Sequence, residues 1–265
     1  MTNEEAEAAV GVALRAGMTW VDTASIYKNE EGVGRAINAY MASGGCRADV
    51  TVVSKISPYE MKSPRNAALK ILDRLALDYV DVLLLHWPAA AKVSPAAPEQ
   101  RSHRHSAWRE LMRLKAEGKV KRIGVSNFTS GHLEAMLREP DLEKPEFNQV
   151  ELHVRFNQFS LRQFCAQQSI LIMAYSPLGS GTLIADPEVT TIAAKYEVPT
   201  WQALLAFACH NAAVTFVKST QHDRIRAAAA FGKDDTDWTS LLADFLSAFA
   251  NSQEKFCWCP EKVLP

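Results

Sequence analysis

The chain has 265 residues, a net charge of −1 and an apolar fraction of 48%, enough for a large α/β domain with a sizeable core. This charge gives no electrostatic basis for binding nucleic acid or an anionic membrane surface, and no apolar run reaches membrane-spanning length. Five scattered cysteines and the absence of a signal-peptide pattern predict a cytoplasmic protein with reduced thiols. Cys257-x-Cys259 lacks the spacing of a zinc site, and no metal is predicted.

Segments with strand and helix patterns alternate along the chain. Apolar or β-branched runs predict strands over residues 19–23, 50–55, 80–86, 120–125, 147–152, 170–175 and 214–218. Apolar residues at helical spacing predict helices over 3–16, 29–40, 64–77, 106–117, 130–138, 159–168, 187–196, 200–211, 221–231 and 237–249. Residues 89–105, which are rich in Ala, Pro and charge, are predicted to form a long, solvated loop.

This alternation predicts the α/β fold class, with a parallel sheet and right-handed crossovers. Neither a G-x-G-x-x-G sequence nor a Walker motif is present, so the usual doubly wound nucleotide-binding folds lose their main support. A (β/α)8 TIM barrel fits better, although the seven predicted strands leave it one strand short. We expect one domain over residues 1–265.

Polar residues stand where the predicted strands end. Because ligands of parallel sheets bind outside the carboxyl ends of the strands, we expect these residues to converge. They are Asp22, Lys55, His86, Ser126, Asn127, Gln149, Glu151, Tyr175, Ser176, Lys218 and Ser219, with Tyr27 shortly after the first. Each alone also has a structural explanation: His86 could equally be a core histidine bonded to a backbone carbonyl.

Four of these side chains make chemical sense together. A tyrosine has an ordinary pKa of about 10, and the cation of Lys55 beside it would lower the pKa of Tyr27 by favouring the phenolate. A buried lysine needs an anionic partner, for which Asp22 is the candidate, and His86 could hold a carbonyl oxygen beside the phenol. The set predicts a proton donor next to a polarised carbonyl.

Several stretches resemble the aldo-keto reductase family, in order and at similar spacing over about residues 5–230. They are VDTASIYKNE from residue 21, VSK from 53, LHWP from 85, GKV from 118, IGVSNF from 123, NQVELH from 148, AYSPLG from 174 and KS from 218. The resemblance implies an NADPH-dependent reductase of aldehydes and ketones on a (β/α)8 barrel. The YKNE and NQVELH sequences are similar to the prostaglandin F synthase and 2,5-diketogluconate reductase branch.

The resemblance also implies a role for each matching residue. Tyr27 would donate the proton, Lys55 and Asp22 would tune it, and His86 would orient the substrate carbonyl. The residues implied to bind NADPH are Ser126, Asn127 and Gln149 for the carboxamide, Tyr175 for the nicotinamide ring, Ser176, Leu178 and Ser180 for the pyrophosphate, and Lys218, Ser219 and Arg224 for the 2′-phosphate. Trp87 and Trp108, with the 89–105 loop, are expected near the substrate pocket.

The resemblance is incomplete at both ends. The family normally begins with a β-hairpin and a first barrel strand, which have no counterpart before the first predicted helix. We therefore expect an incomplete barrel with two unpaired sheet edges, through which chains could associate, although the family implies a monomer. The segment 232–265 matches the family poorly.

Two alternatives use the same residues differently. The chain could be an NADPH-binding regulatory or redox-sensing module with impaired catalysis, which the incomplete barrel favours and the intact group of Tyr27, Lys55, Asp22 and His86 opposes. It could also be a barrel aldolase or isomerase that uses Lys55 to form a Schiff base, which the neighbours of that lysine oppose.

Overall fold

The computed structural model describes residues 1–233, 236–257 and 259–265. Its helices α1 to α10 span Asn3–Arg15, Glu30–Ala42, Pro64–Leu75, Glu99–Ala116, Ser130–Leu137, Phe159–Gln167, Pro187–Lys195, Thr200–Asn211, His222–Phe231 and Thr239–Ala248. Its strands β1 to β7 span Trp20–Asp22, Thr51–Ile56, Val80–Leu85, Val120–Ser126, Phe147–Glu151, Leu171–Tyr175 and Val214–Thr215. No helix of the described residues is both long and apolar enough to cross a membrane.

The chain divides into two compact units. The first consists of Met1–Glu146, Lys218–Gly232 and Pro260–Pro265, and the second consists of Phe147–Val217 and Lys233–Cys259. The single domain predicted over 1–265 therefore contains two separately packed groups of elements. Of the divergent segment 232–265, Asp234, Asp235 and Trp258 lie outside the described residues.

In the first unit, β1 to β4 pair in parallel in the order of the sequence. Every residue of β3 is buried, as the continuous apolar run predicts for a strand covered on both faces. The register of β2 with β3, in which Ile56 lies opposite Leu85, brings the carboxyl ends of these strands together. Side chains that follow the two strands are therefore neighbours.

The helices of the first unit begin with recognisable signals. Thr2 and Glu5 form a capping box at the start of α1, with the Glu5 N–H donating to Thr2 Oγ1 at 3.2 Å. Pro64 occupies the first turn of α3, where its missing N–H leaves no broken bond. A Cβ on Gly32 of α2 would lie only 1.9 Å from the Asn3 carbonyl oxygen, so this position needs a glycine.

In the second unit, β5, β6 and β7 are also parallel neighbours in sequence order. An apolar core joins helices α7, α8 and α10, with Leu204, Phe207 and Phe245 almost completely buried. The strand predicted over 214–218 is shorter than expected. Only Val214 and Thr215 form β7, which pairs with β6, and the Phe216 N–H makes one further hydrogen bond to the Ala174 carbonyl.

The prediction of a solvated loop over 89–105 is wrong in its second half. Helix α4 begins at Glu99, directly after Pro98, and carries part of the charged cluster inward. Arg104 has no exposed surface, and its guanidinium donates to the carbonyls of Pro88 at 2.8 Å and Leu264 at 3.2 Å. These backbone carbonyls satisfy the guanidinium inside the unit, and this explains how a charged side chain of the predicted loop can be buried.

Each unit includes residues from the last part of the chain, and hydrogen bonds within that unit hold them. In the first unit, His132 on α5 bonds through Nε2 to the Val263 carbonyl at 2.9 Å. In the second unit, the Arg155 carbonyl accepts hydrogen bonds from Ser252 Oγ at 2.8 Å and from the Glu254 N–H at 3.0 Å. Hydrogen bonds to backbone groups thus hold Ser252, Glu254 and Val263 in the segment that matches the family poorly.

Candidate active site

Lys55 lies at the carboxyl end of β2 and has no exposed surface. Its ammonium Nζ donates to both carboxylate oxygens of Asp22, at 2.6 and 2.7 Å, and to the Thr23 carbonyl at 2.9 Å. These bonds come from β1 and the residue that follows it, because β1 and β2 are parallel neighbours. The buried cation is therefore both paired and hydrogen-bonded, as burial of a charge requires.

The pKa of Lys55 is raised above its ordinary value. Burial has the largest single effect and lowers the pKa, but the charges of Asp22 and then Tyr27, together with hydrogen bonds to both, raise it by more. Lys55 therefore stays an ammonium ion across the physiological pH range. The direction of the change identifies this lysine as a fixed positive charge rather than a neutral amine.

Tyr27 lies over that charge. It ends the 3₁₀ turn Ser25–Tyr27 that follows β1, and 43% of its surface is exposed. The Lys55 Nζ is 5.0 Å from the centroid of the Tyr27 ring. The phenol is thus close to a cation on one side and accessible from outside on the other, as a proton donor to a substrate must be.

His86 follows β3 and packs edge-on against Tyr27, with ring centroids 5.7 Å apart. Burial, and after it the charge of Lys55, lowers the pKa of His86 to about 3, so the imidazole is neutral. Its buried Nδ1 has no hydrogen-bond partner among the described residues. The sequence also allows a core histidine that is satisfied by a backbone carbonyl. The Nδ1 atom of His86 makes no such hydrogen bond in the structure.

Ser126 ends β4 and Asn127 follows it in the same unit, and both are buried. Asn127 has a left-handed backbone, with φ of 62°, and its Nδ2 donates to the His86 carbonyl at 3.0 Å and to Ser126 Oγ at 3.1 Å. This amide therefore connects the end of β4 to the end of β3. The structure brings Tyr27, Lys55, Asp22 and His86 together and places these two polar residues beside the histidine.

The remaining residues of the first unit predicted to bind a cofactor precede or begin α9. Lys218 and Arg224 are exposed, and Ser219 Oγ accepts the Gln221 N–H at 3.0 Å just before the helix starts at His222. Two basic side chains thus flank one helix N-terminus, where backbone N–H groups favour an anion.

The two predicted pocket tryptophans have different positions. Trp87 is half-buried next to His86. Trp108, on α4, has no exposed surface, and its indole N–H donates to the Glu143 carbonyl at 2.7 Å. A side chain enclosed in this way presents no surface to a substrate, so this position does not support the predicted place of Trp108 near the pocket.

In the second unit, predicted cofactor residues lie on β5, at the end of β6 and in the segment that follows β6. Gln149 on β5 is buried, while Tyr175 at the end of β6 and Ser176 after it are half-buried. Leu178 directly precedes the 3₁₀ segment Gly179–Ala185, which contains Ser180 in a left-handed conformation. Of these residues, Tyr175 and Ser176 occupy the strand-end position that the sequence predicts.

Glu151, at the end of β5, anchors the C-terminal segment within the second unit. Its carboxylate accepts the backbone N–H groups of Phe256 at 2.7 Å and Cys257 at 3.1 Å, and His153 Nε2 lies 3.1 Å away. Burial raises the pKa of Glu151, but the His153 hydrogen bond and the Phe256 N–H lower it by more. It is therefore a carboxylate that holds backbone, rather than an acid.

Sequence reasoning missed Glu60, in the turn after β2. Its carboxylate accepts hydrogen bonds from Ser57, at the end of that strand, and from Ser25, at the start of the turn that carries Tyr27. The Ser57-x-x-Glu60 spacing is the only local signal, and it resembles an ordinary turn.

Among the described residues no group of three or more His, Cys, Asp or Glu side chains could hold a metal ion.

The chain is similar to known proteins over most of its length. The family model described as the aldo/keto reductase family matches residues 1–237. A protein named glyoxal reductase, from Bacillus subtilis (strain 168), is 38% identical over 223 residues, which cover 83% of this chain and 75% of that protein. A protein named aldo-keto reductase, from Mycobacterium avium (strain 104), is 40% identical over 227 residues, which cover 85% and 75%.

A solved structure is also similar to this chain. The crystal structure of an aldo/keto reductase from Brucella melitensis matches with a TM-score of 0.79 and 37% sequence identity, over 92% of this chain and 90% of that chain. With the parallel strands and intervening helices of each unit, this match confirms the predicted fold class, an incomplete (β/α)8 barrel. Together these findings show that the chain belongs to the aldo/keto reductase family of oxidoreductases, which act on carbonyl groups.

Proposed function

We propose that this protein reduces aldehydes or ketones to alcohols with NADPH as the hydride donor and Tyr27 as the proton donor. The observation that carries the proposal is the contact of the Tyr27 ring with the buried Lys55 ammonium, which is itself paired with Asp22. A phenol beside a fixed cation gives up its proton more readily than a phenol in water. Family membership supplies the reaction class, and this cluster supports the assignment of the donor.

The four side chains divide the work between them. Asp22 keeps Lys55 charged, and Lys55 in turn stabilises the phenolate that Tyr27 becomes when its proton leaves. His86 is neutral, so it carries one ring proton and can donate a hydrogen bond to the substrate oxygen without adding a second cation. The carbonyl oxygen would thus lie between a hydrogen-bond donor and a proton donor.

NADPH, when bound, would supply the hydride. In the first unit, the buried hydroxyl and amide of Ser126 and Asn127 have the hydrogen-bonding groups that a carboxamide requires, and the cations near α9 suit a phosphate dianion. In the second unit, Gln149 and Tyr175 provide an amide and an aromatic face. The proposed NADPH-binding set is Ser126, Asn127, Gln149, Tyr175, Ser176, Leu178, Ser180, Lys218, Ser219 and Arg224.

Replacement of Tyr27 by Phe tests this function. The change removes only the hydroxyl, so we expect kcat to fall by about 10²–10⁴-fold while NADPH still binds. Loss of NADPH absorbance with a carbonyl substrate measures turnover, and quenching of protein fluorescence measures binding. Wild-type activity retained by Tyr27→Phe would remove Tyr27 from the role of donor.

The substrate panel should begin with small aldehydes and dicarbonyls. One relative is named glyoxal reductase, which makes glyoxal the first compound to test. The exposed Tyr27 phenol is compatible with small substrates and larger ones alike. Turnover that is faster with NADPH than with NADH would support the assignment of Lys218 and Arg224 to the 2′-phosphate.

A further inference from the structure

The turn that carries Tyr27 is attached to the strand that carries Lys55 by a carboxylate. Glu60 Oε2 accepts the Ser57 N–H at 3.0 Å, Ser57 Oγ at 2.7 Å and Ser25 Oγ in a short hydrogen bond. Ser57 follows β2 directly, whereas Ser25 is the first residue of the 3₁₀ turn Ser25–Tyr27. One oxygen atom therefore joins the turn to the end of β2.

The turn has weak internal support. The Tyr27 N–H donates to the Ala24 carbonyl at 2.9 Å, and the Lys28 N–H reaches the Ser25 carbonyl only at 3.4 Å. The backbone of Lys28 then takes a left-handed conformation with φ of 55°, which residues other than glycine rarely adopt. A single 3₁₀ turn with such geometry depends on contacts from outside for its position.

Ser25 also contacts the lysine's own backbone. Its hydroxyl lies 3.3 Å from the Lys55 carbonyl oxygen as well as against Glu60. Ser25 therefore contacts Lys55 on β2 and Glu60 in the turn directly after β2. An ionised carboxylate accepts several hydrogen bonds at once and holds them more strongly than a neutral oxygen does.

We propose that Glu60 is a positioning residue that, through Ser25, fixes the distance between the Tyr27 phenol and the Lys55 ammonium. Glu60 bonds to Ser25 and Ser57 and acts by holding the turn. The inference rests on the proposed function for its effect on turnover, because it concerns the same proton donor. Its effect on the phenol itself does not require a substrate.

Glu60→Ala, Glu60→Gln and Ser25→Ala test the inference. Since a shift of about 1 Å in a reacting group can cost roughly 10²-fold in rate, we expect Glu60→Ala to lower kcat by about 10–100-fold with little change in KM for NADPH. Glu60→Gln keeps an acceptor oxygen and should recover most of that loss. Ser25→Ala removes only one hydroxyl and should reproduce the effect of Glu60→Ala in smaller degree.

A second measurement follows the phenol directly. The alkaline titration of phenolate absorbance, taken as the difference between each protein and its Tyr27→Phe counterpart, should move to higher pH in Glu60→Ala as the phenol leaves the ammonium ion. The alkaline limb of the kcat profile should move in the same direction. Glu134→Ala, on the exposed face of α5 and paired only with Arg138 in the hydrogen bonds described, is the control and should move neither.

The outcomes separate this inference from the proposed function. If Ser25→Ala and Glu60→Ala fold but leave both kcat and the phenolate titration at wild-type values, the inference is wrong, whatever the protein reduces. If the wild-type protein oxidises no NADPH with any carbonyl while the titration still shifts in Glu60→Ala, the positioning role stands and the function fails. Equal losses in Glu60→Gln and Glu60→Ala without a shift in titration would show a purely structural role.

Discussion

Asp22 and Lys55 form an ion pair whose energetic importance comes from its burial. The Lys55 side chain has no exposure and that of Asp22 has 16%, so neither charge is well solvated. Breaking a buried pair by removing one partner leaves the other charge uncompensated, which costs far more than breaking a pair on the surface. The same two residues therefore bear on both stability and chemistry.

Asp22→Asn tests the cost of leaving the buried Lys55 charge without its partner. We expect the free energy of unfolding in urea to fall by about 3–5 kcal/mol, because the Lys55 ammonium stays buried without its anion. The matched control is Glu117→Gln, which breaks a pair with Arg65 in which both side chains are more than 40% exposed. A loss in Asp22→Asn no greater than in this control would contradict the account.

The four residues at the centre of the site were predictable because each lies at the carboxyl end of a strand or shortly after it. Once β1, β2 and β3 are placed side by side, Asp22, Lys55 and His86 must meet at one edge. Glu60 was not predictable, because its role depends on a turn that approaches it from a distant part of the sequence. The prediction for Trp108 was ambiguous because an aromatic residue near a loop suits a pocket wall and a core equally well, and its complete burial favours the core.

At the scale of elements, the close approach of α1 and α2 depends on Gly32. A Cβ there would lie 1.9 Å from the carbonyl oxygen of Asn3 and 2.6 Å from its carbonyl carbon, both of which belong to the backbone of α1. Backbone cannot move aside as a side chain can. The glycine therefore fixes how near the two helices lie.

Gly32→Ala should destabilise the protein by at least about 1–3 kcal/mol in urea unfolding, since the helices must separate to admit the methyl group. Gly11, inside α1, provides the opposite case. A Cβ at this position would meet only the flexible guanidinium of Arg15, at 3.2 Å, so Gly11→Ala should be neutral or stabilise the helix by up to about 1 kcal/mol. Similar effects of the two substitutions would argue against the steric explanation.

The limits of sequence-based prediction at this scale are physical. Helices with strong periodicity, such as α3 and α8, lie within two residues of their predicted bounds. The start of α4 was missed because its first turns are charged, and the burial of Arg104 depends on the carbonyls of Pro88 and Leu264, far away in sequence. The strand β7 was overextended because an apolar run does not reveal where its pairing stops.

At the scale of the whole molecule, buried neutral histidines connect stability to pH. Burial, followed by the charge of Arg104, lowers the pKa of His132 to about 4, and the pKa of His86 is about 3. An unfolded histidine titrates near 6.5, so below that pH the unfolded chain binds protons that the folded chain excludes. The contribution of these histidines to stability is present above about pH 6.5 and is lost progressively as the pH falls.

His132→Gln should therefore flatten the pH dependence of unfolding. The urea midpoint of the wild-type protein should decline more steeply from pH 7 to about pH 4.5 than that of the variant, which has one fewer group to protonate. The buried Glu30, whose pKa is raised by burial, works in the opposite direction in both proteins and cancels in the difference. Parallel curves would show that His132 is protonated as easily in the folded state as in the unfolded one.

The hydrogen bonds of Arg104 and His132 to Leu264 and Val263 have a consequence for which substitutions these two positions can accept. Both side chains hold peptide oxygens, those of Leu264 and Val263, rather than any side group. These bonds depend on the main chain and not on a particular side group, so we expect the exposed Leu264 to tolerate many replacements, whereas the buried Val263 also packs through its side chain. The backbone oxygens of both residues are needed to accept hydrogen bonds from the enclosed nitrogen atoms of Arg104 and His132.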